Sequence, residues 1–442
     1  MDIDTWFKDK KNIRKSQKNY AHFDIRTDVM KSQKYIINPE NISKHGFYPF
    51  IKYTLRYERY RKVNNEPERE DKERIICYSA HIDRCIYQYY SALLNERYNL
   101  RLKQDGISRV PVAYRTDLHI SNIDIFREVI DVVKFLQSCY VLIGDFTKFF
   151  DRINHRYLKK QLCNLLGVSK LPADYFSVFK SVTKYNTWDL TDILALNNLP
   201  NNRRGIKMLN SKKRVLSKDA YKTNKSHIVC NDSEIGIPQG SSISACFANI
   251  YMLEIDKKIS DFVKGHNGIY RRYSDDFIVV LPDENNTHEY IEQIIQLFEN
   301  YKKQNLMELQ PAKTQVFKLN GYKLRNIGNT FQPVLNNRNK YINFLGFTFD
   351  GNSIHIRSKT ISKYFYRMRH KAIGIARKYS ENHGFKGSDK LYRMYSSRGE
   401  YGKGNFFTYL RHVEKKFPNE PIGNPTKNHM VKIRRILKKN KR

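Results

Sequence analysis

Acidic residues are scarce in this 442-residue chain, 44 Asp and Glu against 80 Lys and Arg, for a formal net charge of +36. That excess goes far beyond what solubility requires and has the sign that attracts polyphosphate, so nucleic acid is the first partner to expect. Cysteine is sparse as well. Cys77, Cys85, Cys139, Cys163, Cys230 and Cys246 are scattered, with no C-x-x-C pair and no His at zinc spacing, which speaks against a zinc module and for reduced thiols in a cytosol. No apolar run approaches the length that spans a bilayer, and Met1-Asp2-Ile3-Asp4-Thr5-Trp6 is not an apolar targeting segment. The expectation is a soluble, cytoplasmic protein with no membrane partner.

Aromatic and apolar residues are plentiful. A hydrophobic fraction of 40% excludes a disordered tail and supports two or three subdomains with a real core. The 31 Tyr and 25 Phe belong mostly to that core, but those interleaved with Lys and Arg suit base stacking beside phosphate contacts.

Tyr270-Arg271-Arg272-Tyr273-Ser274-Asp275-Asp276-Phe277-Ile278-Val279-Val280-Leu281 predicts two short strands meeting at a Ser-Asp turn, which places two adjacent carboxylates at a hairpin tip. Side chains alternate along a strand, so one of Asp275 and Asp276 is expected to bind metal and the other to assist. A second apolar run, Cys139 to Ile143, ends in Gly144-Asp145-Phe146 and delivers Asp145 at a strand end.

Around these lie a helical pattern from Ile120 to Leu136, helical residues 157 to 186, and an irregular basic stretch from 187 to 227. A rigid turn at Gly236-Ile237-Pro238-Gln239-Gly240 leads into a small-residue helix from Ile243 to Leu253. An amphipathic helix is expected over 287 to 303, and strands over Thr314 to Leu319 and Tyr341 to Asp350. Residues 1 to about 70 read as short helices around a loop at Asn64-Asn65-Glu66-Pro67; from Arg74 a strand leads to a helix beginning near Asp83. Beyond residue 353, Ile361, Phe365, Met368, Ala372, Ile375 and Tyr379 form one apolar stripe on a helix whose other faces carry Lys363, Arg367 and Lys371. The segment from Pro421 onward, with Arg434 and Arg435, carries many Lys and Arg and no acid, which favours phosphate contact.

Three carboxylates drawn together repel one another by about 4 kcal/mol per pair at about 4 Å and an effective dielectric near 20. Cations must offset that. Oxygen-only ligation selects a hard ion, Mg²⁺ or Mn²⁺, and a pair of such ions clamps the attacking and leaving oxygens of a phosphoryl transfer.

Taken in order, Gly144-Asp145-Phe146-Thr147-Lys148-Phe149-Phe150-Asp151, Gly236-Ile237-Pro238-Gln239-Gly240-Ser241-Ser242, Tyr273-Ser274-Asp275-Asp276, Leu309-Gln310-Pro311-Ala312-Lys313-Thr314 and Phe344-Leu345-Gly346-Phe347 resemble the ordered motifs of reverse transcriptases, over roughly residues 74 to 380. The resemblance implies an α+β right-hand polymerase fold: residues 1–135 as fingers and N-terminal region, 136–350 as an antiparallel palm with a fingers insertion at about 165–230, and 351–442 as a basic helical thumb and tail. It further implies Asp145, Asp275 and the carbonyl of Phe146 as ligands of two Mg²⁺ ions, with Mn²⁺ the alternative and Asp276 auxiliary. Lys313 would protonate the departing pyrophosphate. Phe150 would gate the sugar, Gln239 and Gly240 would lie against the nascent base pair, and Arg74 would grip the triphosphate of the dNTP. Arg115 would contact template backbone, while Lys363, Arg367, Lys371, Arg434 and Arg435 are the cations that the charge pattern points to for nucleic-acid phosphate contact.

The Asn-Ala-x-x-His and Val-Thr-Gly elements of retron enzymes are absent, and the expectation is a compact polymerase without the endonuclease and maturase extensions of intron-encoded enzymes. Phe344 to Gly351 followed by Ile356-Arg357-Ser358 resembles the bacterial defence-associated reverse transcriptases, which implies DNA synthesis on a partner noncoding RNA in antiphage defence. The rivals are a retron-like or template-independent DNA polymerase and a catalytically silent RNA-binding module, the last disfavoured because a carboxylate cluster weakens RNA binding.

Overall fold

The computed structural model describes residues 2–63, 66–335, 339–377, 388–399, 404–423 and 426–439, with backbone alone over 57–63 and 66–72. Its strands are β1 (Phe50–Val63), β2 (Glu66–Tyr78), β3 (Ser138–Asp145), β4 (Asn186–Asp189), β5 (Val229–Cys230), β6 (Ile269–Tyr273), β7 (Asp276–Pro282), β8 (Gln315–Asn320), β9 (Lys323–Asn326), β10 (Ile342–Phe344), β11 (Phe347–Phe349) and β12 (Ile354–Ile356). The chain divides into two compact units. The first comprises Met1–Tyr114, Phe146–Ile259 and Leu297–Glu308; the second comprises Arg115–Asp145, Ser260–Gln296 and Leu309–Arg442. The expected α+β class with antiparallel sheets is what the chain adopts.

The first unit holds a sheet in the order β2-β1-β4-β5, antiparallel except where β1 runs parallel to β4. The short helices expected lie between Ile3 and Ser43, but the next stretch departs from the expectation. β1 and β2 make a long hairpin whose tip, including Asn64 and Asn65, lies outside the described residues. Charged residues alternating with Tyr and Leu along β1 hid its period from a reading tuned to apolar runs. The helix His81–Gln104 follows directly. Residues 187–227, read as irregular, instead contain helices Leu190–Leu196, Arg203–Ser211 and Lys218–Thr223, the last two started by Asn202 and Ser217 caps. Trp188, Ile193, Leu194, Leu209 and Val215 close over Ala21, Phe23 and Ile51 there, so tertiary burial supplies the order that local periodicity did not reveal.

The second unit is built on a five-stranded antiparallel sheet, β6-β7-β3-β8-β9. β3 and β7 are buried on both faces because Cys139–Ile143 and Phe277–Leu281 are continuous apolar runs, whereas edge strand β6 alternates. The helix Asn122–Leu136 opens on a capping box between Ser121 and Asp124 and buries Phe126, Val129, Ile130 and Val133. The predicted strand Tyr341 to Asp350 is two strands, β10 and β11, because Leu345 and Gly346 both take positive φ and turn the chain back. A positive φ at Gly346 meets no side-chain penalty. Helix Ser358–Ala376 buries Tyr364, Met368, Ala372 and Ile375, and it meets helix His429–Lys439 through Ile433 and Leu437. Its stripe is rotated slightly from the one expected, with Ile361 and Phe365 half-buried; Tyr379 lies outside the described residues.

All six cysteines are free, and burial pushes the Cys77, Cys85 and Cys139 thiols up to about 12. Among the described residues no helix is long and apolar enough to cross a membrane.

Candidate active site

In the second unit, β6 and β7 form the predicted hairpin, and Ser274 at its turn takes φ of 61°. Arg272, fully buried, donates from Nη1 to the Ser274 carbonyl at 3.0 Å and so braces the turn. Its role in holding the turn is not among the roles expected from the sequence. The available signal was a charged residue at an inward position of an otherwise apolar strand.

Register decides which carboxylates meet. β7 pairs with β3 so that Asp276 stands opposite Asp145, and Phe277 stands opposite Gly144. Directly paired residues of an antiparallel ladder project to the same face. A Cβ at Gly144 would come within 2.2 Å of the Phe277 ring, so glycine is what lets that ring lie over the end of β3. Next to this pair, the Asp145 carbonyl accepts the Gln310 N–H at 2.8 Å and the Gln310 carbonyl accepts the Lys313 N–H at 2.9 Å. The turn so formed delivers the Lys313 ammonium to Oδ2 of Asp145 at 2.6 Å. Residues far apart in sequence, Asp145, Asp275, Asp276 and Lys313, are thereby gathered by one sheet.

Burial, and then the Asp145 charge, raise the Asp275 carboxyl. Burial, followed by the charges of Asp275 and Asp145, pushes Asp276 up to about 7. The Lys313 ammonium offsets part of this crowded negative charge. Among the described residues no three His, Cys, Asp or Glu side chains already converge as a metal-binding group. The donors that are present are carboxylate oxygens, however, and that chemistry fits a hard divalent ion.

The first unit gathers a second set. Phe149–Arg152 forms a 3₁₀ turn after Lys148, which has φ of 46°. The Phe150 carbonyl accepts the Ile237 N–H at 2.9 Å, and the Gln239 side chain donates to the Asp151 carboxylate, which burial otherwise raises. The Gln239 carbonyl in turn accepts the Cys77 N–H at 2.8 Å. Gly240 has φ of 118°, and a Cβ there would fall 2.5 Å from the Cys77 carbonyl oxygen. The Gln239-Gly240 turn therefore lies on the end of β2, the strand that carries exposed Arg74. Phe150 is half-buried. Phe146, next in chain to Asp145, packs its ring against Phe149 and Phe298.

Arg115 is placed differently from a template contact. Its side chain is buried, and Nε and Nη2 donate to both oxygens of Asp117 at 2.9 and 2.6 Å. Lys363, Arg367, Lys371, Arg434 and Arg435 are all exposed on their helices.

Residues 199–349 match the family described as reverse transcriptase (RNA-dependent DNA polymerase), a span that includes Gln239, Gly240, Asp275, Asp276 and Lys313. No curated protein matches the chain. Among solved structures, a C-terminally truncated apo telomerase from Candida tropicalis is 15% identical, with 69% of this chain and 57% of that chain covered and a TM-score of 0.41. Apo telomerase from the same organism is 13% identical over 95% of this chain and 68% of that chain, TM-score 0.42. The telomerase of Candida albicans in complex with a TWJ fragment of telomeric RNA is 16% identical over 91% and 59%, TM-score 0.38. The chain spans 57% to 68% of the length of these structures. Across residues 199–349 the chain carries a reverse transcriptase domain, the domain of an RNA-directed DNA polymerase, a nucleotidyltransferase.

Proposed function

We propose that the chain is a right-hand polymerase that makes DNA on a partner noncoding RNA by two-metal nucleotidyl transfer, in bacterial antiphage defence. The observation that carries the reading is the pairing of Asp145 with Asp276 across β3 and β7, with Asp275 at the adjoining turn and Lys313 on Asp145. β3 and β6 to β9 serve as the palm sheet, and the basic helices beyond residue 351 as thumb and tail. Asp145 and Asp275 would hold Mg²⁺, with Asp276 in support; a bound cation supplies Lewis-acid stabilisation of charge on the reacting phosphate. Lys313 holds an ammonium proton at the edge of this cluster, the chemistry a departing pyrophosphate requires. Exposed Arg74 offers a guanidinium suited to phosphate oxygens, and Phe150, Gln239 and Gly240 shape a nucleotide-facing surface on the first unit.

The RNA partner is supported by the net charge of +36 and by the exposed cations of helices Ser358–Ala376 and His429–Lys439. The defence role rests on the sequence resemblance of Phe344 to Ser358. The test is to purify the full chain with its copurifying RNA and supply dNTPs and Mg²⁺. DNA whose sequence is complementary to the bound RNA supports the reading. DNA unrelated to any RNA points to a template-independent polymerase, and no DNA removes the polymerase assignment. Plaque counts on cells carrying wild-type or Asp275→Ala protein test the defence role.

A further inference from the structure

The first unit holds a triad that the polymerase reading does not use. The Tyr35 hydroxyl lies 2.8 Å from Nδ1 of His45, and Nε2 of His45 lies 2.8 Å from Oδ1 of Asp83. Asp83 is buried, with a side chain 1% exposed; the His45 side chain is 9% exposed and Tyr35 is 37% exposed. The second carboxylate oxygen, Oδ2, accepts the Tyr48 N–H at 3.0 Å, which fixes the carboxylate plane. With Asp83 accepting at Nε2, the neutral imidazole carries its proton there and presents Nδ1 as an acceptor to the phenol. This is the nucleophile, base and orienting carboxylate arrangement of activated hydroxyls.

Burial of Asp83 needs two donors, and the imidazole and the Tyr48 N–H provide them. The Tyr35 contact adds nothing to that requirement, since water could serve Nδ1 at the surface. Burial, and then the Asp83 charge, raise the Tyr35 phenol, so it keeps its proton at neutral pH and reacts only when a base removes it. Burial raises the Asp83 carboxyl also, which makes it a better partner for an imidazolium. The segment around the hydroxyl carries exposed Lys31, Lys34 and Lys44, charges that suit a polyphosphate.

We propose that Tyr35 is a nucleophilic hydroxyl that accepts a nucleotidyl group from a nucleoside triphosphate, so that this chain becomes covalently joined to nucleotide. The choice of a nucleotidyl group rests on the polymerase reading above. In the step, the Tyr35 oxygen bonds to the α-phosphorus, the bond from that phosphorus to the β-phosphate oxygen breaks, and pyrophosphate leaves. The phenolic proton passes to Nδ1 of His45, and Asp83 stabilises the imidazolium through Nε2. No oxidant or reductant is needed.

The full chain is incubated with dNTPs labelled at the α-phosphate and Mg²⁺, denatured, and digested with trypsin. The expected result is label that stays with the protein and maps by mass to the peptide holding Tyr35. Tyr35→Phe removes it, and His45→Gln, with Tyr35 in place, lowers it by roughly 10²-fold, the scale of general-base assistance. Circular dichroism melting of both variants confirms the fold. A parallel assay extends a DNA primer annealed to RNA. Primer extension by wild type with no adduct at Tyr35, or adduct at another residue, overturns the proposal while the polymerase reading stands. A second probe, 5′-fluorosulfonylbenzoyl adenosine, reads the hydroxyl without polymerase chemistry. Preferential modification of Tyr35 that His45→Gln abolishes supports the triad even where no primer is extended, and modification no faster than at other exposed tyrosines overturns it.

Discussion

Asp276 stands directly opposite Asp145 across β7 and β3, and burial together with the Asp275 and Asp145 charges raises its carboxyl to about 7. Asp275, one residue earlier, occupies the turn. The pair that the ladder aligns and the residue that the turn exposes thus have different duties. Asp145→Asn and Asp275→Ala are expected to lower dNTP incorporation by about 10³-fold or more, the loss of several kcal/mol of cation-held charge stabilisation. Asp276→Asn leaves Asp145 and Asp275 in place and replaces a buried carboxyl whose ionised form those neighbours disfavour, so it should retain more activity than Asp275→Ala. It should also raise the urea midpoint of the metal-free protein. Incorporation assays on the three variants and denaturant titrations check both halves. Full activity in Asp275→Ala would remove the site assignment.

Gly144 supplies a structural prediction. The Phe277 ring fills the volume where a Cβ would sit, at 2.2 and 2.3 Å from two ring carbons, and Phe277 is completely buried. Gly144→Ala should therefore overpack the end of β3 and cost about 1–3 kcal/mol. Combining it with Phe277→Leu should recover part of that loss, since the two residues share one space. Urea unfolding of the two single variants and the double variant measures the coupling; strict additivity would show that the ring is not the obstacle.

Much of the carboxylate site was legible beforehand because its signals are local. The apolar run before Asp145, the turn chemistry of Ser274 and Asp275, and the apolar run from Phe277 each specify their own segment. What joins them is register, which depends on nonlocal pairing, and so the alignment of Asp145 with Asp276 rather than Asp275 was not readable. β1 and the outer part of β2 were missed for a related reason: β1 alternates charge with Tyr and Leu, Glu68 to Arg74 is one charged run, and the two strands pair with each other, so only the apolar end of β2 from Arg74 to Tyr78 reads as a strand. The helices of 190–223 are short and acquire order by closing over Trp188. Arg115 is expected at template backbone, and its burial against Asp117 depends on a fold that local sequence does not show.

Phe150 carries a prediction about sugar selectivity. Its backbone is fixed by the bond from the Ile237 N–H, so a substitution of the ring should leave the turn in place. Phe150→Ala is expected to raise incorporation of ribonucleotides relative to deoxyribonucleotides by roughly 10–100-fold, the range that a lost steric contact in a pocket supports. Single-nucleotide incorporation with matched rNTP and dNTP pairs is the measurement, and an unchanged ratio would remove the gate role.

Exposed Lys363, Arg367 and Lys371 lie along one helix. If each neutralises a phosphate, replacing all three by Ala weakens RNA binding with little regard to sequence. It should also reduce the steepness of log K against log salt by roughly 2–3, about 0.7–0.9 per lost contact. Binding titrations between 50 and 300 mM KCl on single-stranded and duplex RNA read this directly. A changed affinity with an unchanged slope would mean that the helix acts through packing.

The final prediction concerns acid stability and lies away from the carboxylates. His22 is fully buried; its Nε2 lies 3.3 Å from the Tyr78 carbonyl, and among the described residues its Nδ1 has no hydrogen-bond partner. Burial, and secondarily the neighbouring His81, bring it down to about 3 from an ordinary 6.5. Below pH 6.5 the unfolded chain takes up a proton at His22 that the folded chain refuses, so stability falls as pH falls, until about pH 3. The slope approaches about 1.4 kcal/mol per pH unit, which makes the His22 contribution at pH 5 roughly 2 kcal/mol. His81 is lowered by burial too and adds in the same direction. Carboxylates titrate in part of this window, so the informative quantity is the difference between wild type and His22→Gln, which keeps a donor for the Tyr78 carbonyl and cannot be protonated. Urea unfolding from pH 8 to 5 should show the wild type losing more stability on acidification than the variant. Parallel curves for the two proteins would mean that His22 is protonated in the fold and that the packing around Tyr78 and His81 admits the charge.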